Sequence, residues 1–164
     1  MSAAPASAAD GRVRARWNAT RLSRAIFIIA LLGALESAYL TYIHYHGLGA
    51  LACVGGGHGQ SSCAQVQSSV YSRLAGIPVV WLGLAGYLSI LGSLFVRGEL
   101  GRGAGFCVAL IGFGFSMYLT YREVFTLKEI CEWCVGSAVL MTILAVLTSI
   151  RFLRGDGDGH EAAG

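Results

Sequence analysis

The sequence predicts an all-α integral membrane protein: a bundle of four transmembrane helices with a long extracytoplasmic loop that carries a short helix. Three observations carry this expectation. The 164 residues are 55% hydrophobic and 13% charged, with a mean hydropathy of +0.62, more apolar than an ordinary water-soluble domain. Four apolar runs stand at 25–44, 77–96, 103–121 and 131–150. Each has about 20 residues, and a helix of that length covers roughly 30 Å, the thickness of the hydrocarbon layer. Nine of the twelve Lys and Arg fall on one side of the resulting arrangement, namely Arg12, Arg14, Arg16, Arg21, Arg24, Arg97, Arg102, Arg151 and Arg154. Only Arg73, Arg122 and Lys128 fall on the other. Basic residues gather on the cytoplasmic side. A multi-pass protein of the inner (cytoplasmic) membrane is therefore expected, with both termini in the cytoplasm and the first and third loops outside. The net charge of +3 is too small to suggest a nucleic-acid partner.

In chain order, 1–22 reads as a basic cytoplasmic tail, 23–153 as the membrane domain and 154–164 as a disordered polar tail. A secretory signal is the rival reading of the first run, since its basic front fits. Its apolar stretch continues through Tyr39, Leu40, Tyr42 and Ile43, too long for a signal core, so a retained span is expected. Glu36 lies in mid-span. A carboxylate in hydrocarbon is costly and marks a paired or functional group: either a proton relay or a protonated acid bonded to a neighbouring helix. The loop at 46–76 carries Cys53 and Cys63 on either side of a glycine tract that includes His58. Such a pair can open and swing a sulfur toward another disulfide, or can be a static staple. A short amphipathic helix is expected over 64–74. In the second span, Trp81 and Tyr87 are candidates to line a pocket with Trp133, or are plain packing. Gly101, Gly103 and Gly105 blur the start of the third span, and Cys107 within it reads as a small buried filler.

Residues 33–42, GALESAYLTY, and 112–121, GFGFSMYLTY, agree at six positions without gaps. In both copies Gly, Ser and Thr recur every fourth residue, a stripe that lets helix backbones approach closely in lipid. The tyrosines fall near the outer interface, where aromatic rings prefer to sit. Each copy precedes a cysteine pair. Two readings stand: two hairpin halves related by an axis along the membrane normal, each supplying one pair to a shared outer site, or chance agreement between apolar, aromatic-rich helix ends.

Four of the five cysteines, Cys53, Cys63, Cys131 and Cys134, fall at the outer face, where the medium is oxidising and disulfides persist. Residues three apart share one face of a helix, so the sulfurs of Cys131 and Cys134 can bridge. Cys131 opens the fourth span, where unpaired backbone N–H groups and the helix dipole favour a thiolate. Two other readings stand beside thiol–disulfide chemistry. One is a structural disulfide. The other is half a zinc site completed by Cys53, His58 and Cys63, although zinc wants four ligands and nine residues between Cys53 and Cys63 is no familiar zinc spacing. No metal is expected.

Together these residues are similar to the vitamin K epoxide reductase family in its stand-alone bacterial form. The loop pair is followed by Cys63-x-x-Val66-x-x-Ser69-x-Tyr71, then by Gly76-Ile77-Pro78 opening the second span; SAYLTY closes the first span and Cys131-x-x-Cys134 opens the fourth. The resemblance implies a four-helix bundle around a quinone pocket. It also implies a redox-active relay supporting disulfide bond formation. A soluble thioredoxin-fold oxidase of the DsbA type would reduce the Cys53–Cys63 disulfide, entering at Cys53. Cys63 would then attack Cys131, and Cys134 would pass electrons to ubiquinone or menaquinone. Ser69 matches a family serine beside the active-site pair. Trp133, Trp81, Tyr87 and Glu36 are the quinone-side candidates. Relatives with a fused thioredoxin-like domain differ from this chain, so a separate partner is expected. Animal members carry a tyrosine four positions past the second cysteine, where this chain has Ala138. The resemblance leaves a second function open, reduction of a quinone or of vitamin K epoxide for its own sake. A structural or metal-binding membrane protein is the reading of a different class.

Overall fold

The computed structural model describes residues 6–46, 73–74, 77–96, 98–127 and 131–160. The loop cysteines Cys53 and Cys63, with His58, Ser69 and most of the expected loop helix, lie outside the described residues. The elements are α1 (Ala6–His46), β1 (Arg73–Leu74), β2 (Ile77–Pro78), α2 (Val79–Phe95), α3 (Glu99–Arg122), a π-helical turn (Glu123–Leu127) and α4 (Glu132–His160). Among the described residues, three segments are long and apolar enough to cross a membrane: Ala19–His46, Glu99–Thr126 and Glu132–Arg154. α2 is a shorter apolar helix of 17 residues. The described residues are thus almost wholly helical, with three candidate spans and a fourth, shorter rod.

The ends of these elements differ from expectation for local reasons. Arg73–Leu74 is a strand, not the end of a loop helix; it pairs antiparallel with β2, Arg73 opposite Pro78 and Leu74 opposite Ile77. Ile77 precedes a proline, whose ring disfavours the helical region for the residue before it. Pro78 itself is extended, with φ −58° and ψ 132°, so α2 starts at Val79 and not at Ile77. α3 starts at Glu99, four residues before the expected 103. Gly98 makes the reversal at φ +86°, a left-handed conformation that glycine adopts without a Cβ clash. The glycines that blurred this start are packing surfaces: a Cβ on Gly101 would overlap the Val96 carbonyl, and one on Gly105 would meet the Ser93 side chain. The outer bounds also move. α1 already begins at Ala6 and α4 runs to His160, so part of each segment read as a tail is helical. Extending a formed helix needs no new nucleus.

All four helices contribute to one core, in which Ile26, Tyr87, Ile90, Ala109 and Leu144 have no exposed surface. Large apolar side chains also cover the outside: Ile28, Leu32 and Leu35 on α1, Phe95 on α2, Ile111 on α3 and Val146 on α4. Apolar surface inside and out suits a bundle in lipid, where close packing and not exclusion from water joins the helices.

The repeated decapeptides supply that packing. α1 packs most extensively on α2, and α3 on α4. A Cβ on Gly33 would run into the Tyr87 ring of α2; one on Gly112, its counterpart, would lie 2.8 Å from Met141 Sδ of α4. Farther along each copy, Thr41 Oγ1 donates to the Ser37 carbonyl at 2.7 Å and Thr120 Oγ1 to the Ser116 carbonyl at 2.9 Å. The small residues therefore do matching work in both copies.

Candidate active site

Cys131 stands immediately before α4. Its carbonyl accepts the Val135 N–H at 3.0 Å, the first bond of the helix, so Cys131 occupies the cap position. The backbone N–H groups of Trp133 and Cys134 turn onto its sulfur, as they would onto the oxygen of a capping serine. The side chain has no exposed surface and packs with Leu40 and Ile43 of α1. Its thiol lies below the usual range. The largest cause is the hydrogen bond with the Cys134 side chain, and the two backbone donors add to it; burial opposes the shift. Both sulfurs are free thiols.

Glu123 completes this cluster from α3. It is the first residue of the π turn, where α3 widens, and only 5% of it is exposed. Val124 and Phe125, next in the chain, face outward. The Glu123 carboxylate accepts hydrogen bonds from the Cys134 thiol and from the backbone N–H of Cys131.

Below the dithiol lies a cavity of about 430 Å³. All four helices line it, Ser37 from α1, Tyr87 from α2, Phe115 from α3 and Cys134 from α4 among them, and most of its wall is apolar. Small-molecule sites are typically apolar hollows of roughly 300–1,000 Å³ with a few placed polar groups. This one fits a quinone ring: broad apolar walls, with the Cys134 sulfur and the Glu123 carboxylate set into one region.

The vitamin K epoxide reductase family model matches residues 24–149. The chain belongs to the vitamin K epoxide reductase family. Membership makes it a membrane oxidoreductase of quinone-linked redox chemistry, and the match includes α2, α3, parts of α1 and α4, and both cysteine pairs.

Within this family member, the side chains singled out from sequence fall in different places. Trp133, Tyr87 and Cys134 are on the cavity wall. The Trp133 ring packs at 5.2 Å against Tyr39. The Tyr87 hydroxyl is held by Ser137, 3.1 Å from its carbonyl and 2.9 Å from its Oγ. Trp81 lies away from the cavity lining. It is 46% exposed and meets Tyr45 edge-on at 6.5 Å. Glu36 lies behind the wall, beside Gly136 of α4, and its Oε1 is buried without a hydrogen-bond partner among the described residues. Cys53, Cys63 and Ser69 are outside the described residues. Glu123 was passed over in the sequence. The available signal was an acid in the run YREVFTL, eight residues before Cys131, where nothing local requires a charge.

Proposed function

We propose that the protein is a quinone-dependent thiol–disulfide oxidoreductase that oxidises a soluble thioredoxin-fold partner of the DsbA type and so supports disulfide formation in exported proteins. The observation that carries this reading is the position of one dithiol at two boundaries. Cys131 caps α4 against the C-terminal part of α1, and Cys134, one turn on, is part of the cavity wall. In this reading α2 is the second of four spans and both termini are cytoplasmic in the inner membrane, as the distribution of basic residues suggests.

The thiolate of the soluble partner attacks Cys53 of a Cys53–Cys63 disulfide. Freed Cys63 attacks Cys131 in the Cys131–Cys134 disulfide, and the family resemblance gives Ser69 the part of a hydrogen-bond donor to this exchange. The backbone donors that cap Cys131 stabilise negative charge on its sulfur whenever that bond is open. Cys134 faces the cavity, where Trp133, Tyr87 and Phe115 form flat apolar walls that exclude water. A bound quinone, ubiquinone or menaquinone, supplies an acceptor for two electrons and two protons. The serine partner of Tyr87 keeps its ring fixed as a wall.

Two measurements test the proposal. Expression in cells lacking their own quinone-linked disulfide oxidase should restore disulfides in exported proteins. Quinone reduction without such restoration would instead favour a quinone or epoxide reductase. The double variant Cys53→Ala, Cys134→Ala should accumulate a Cys63–Cys131 bridge. A folded double variant without that bridge rejects the relay order.

A further inference from the structure

A carboxylate buried without partners is strongly disfavoured. Glu123 is nevertheless turned inward, on a π turn whose next two residues face outward. Single π turns inside helices are frequently found at functional sites. What Glu123 gains is contact with the dithiol: the Cys134 thiol and the N–H of Cys131 both donate to it. The titratable groups on the cavity wall, among the described residues, are Tyr87, Arg122, Glu123 and Cys134. Arg122 keeps its charge throughout, and it lies 5.4 Å over the Tyr118 ring. Tyr87 is engaged by Ser137. Glu123 is thus the carboxylate that touches both a reacting sulfur and the cavity.

We propose that Glu123 is the proton carrier of the dithiol: it takes the Cys134 proton as the Cys131–Cys134 bond closes and releases it into the cavity. This rests on the quinone-linked reading above. In the step, the two sulfurs join and two electrons leave for the quinone. Two protons also leave. The Cys134 proton goes to Glu123 and on to the cavity; the Cys131 proton leaves earlier, when its capped sulfur becomes a thiolate. With quinone bound, the quinone takes up that proton and Glu123 ends as it began; without quinone, Glu123 keeps it and stays a carboxylic acid. In the reverse sense, when Cys63 opens the bond, Glu123, protonated from the cavity, protonates the departing Cys134 sulfur. A role in shape alone would be met by glutamine, which keeps the size and an acceptor for the Cys131 N–H.

The test uses full-length protein, free of quinone, in lipid. Its infrared spectrum is compared before and after oxidation of the dithiol by a soluble organic disulfide. Oxidation of the wild type should raise a carboxylic-acid C=O band that is missing in Glu123→Gln and persists in Glu36→Gln. Dithiothreitol-driven quinone reduction should fall about 10²-fold in Glu123→Gln, within the usual range for a lost general acid–base, and recover in part in Glu123→Asp. An unchanged rate in Glu123→Gln, or an oxidation spectrum without the band in wild type, overturns the inference. Should Glu123→Gln not fold, the wild-type band and its shift on glutamate carbon labelling decide. Absence of quinone reduction by the wild type would reject the parent reading, while the infrared result still judges Glu123.

Discussion

At the scale of single residues, the chemistry turns on how one sulfur is capped. Cys131 receives backbone donors from the first turn of α4 and the Cys134 side chain. A lowered pKa leaves more thiolate at any given pH. The rate at which iodoacetamide alkylates Cys131 in the reduced protein should therefore rise through a midpoint below that of a free thiol, roughly 8.5. Cys134→Ala removes the largest of the lowering contacts and should move the midpoint upward; mass spectrometry of labelled peptides measures both. The cysteine pattern was legible in sequence because an i, i+3 pair at a helix start needs only local geometry. Glu123 was not, since its inward turn depends on a π turn and on partners across α4. Trp81 and Trp133 were equally hard to separate. Lipid and cavity are both apolar, so no polar face marks which side of a helix points inward.

At the scale of the helices, the matched glycines make different demands. The Tyr87 ring against Gly33 is fully buried and its hydroxyl is tied to Ser137, so it has no room to yield. Gly33→Ala should destabilise the protein by about 1–3 kcal/mol, the usual range for overpacking. Met141, which faces Gly112, is flexible and can change rotamer. Alanine's better helix propensity, worth about 1 kcal/mol over glycine, then offsets much of the cost, and Gly112→Ala should be near neutral. Thermal unfolding of the two variants in one detergent measures the difference; equal losses would refute the asymmetry. The apolar runs themselves were plain, because length and hydropathy are sums over many residues. Their ends were not. Pro78 and Gly98 each act through one backbone torsion, which shifts a boundary by two to four residues without altering the average.

At the scale of the whole molecule, the proposed relay would join sulfur exchange at Cys131 to the four-helix cavity through one helix turn. Disulfide exchange depends on access to the attacked sulfur, while electron delivery into the cavity would depend on keeping water out. In that proposal, dividing the two functions between Cys131 and Cys134 lets each be met. The short second helix adds a constraint on the surroundings. Seventeen residues reach only about 25 Å, against roughly 30 Å of hydrocarbon. With α2 as the second span of the proposed topology, a thicker bilayer must pinch inward beside it or strain its ends, at fractions of a kcal/mol for each Å. Turnover in vesicles of graded acyl length should peak with the shorter chains and decline as they lengthen, so that the choice of lipid acts as a throttle on the enzyme.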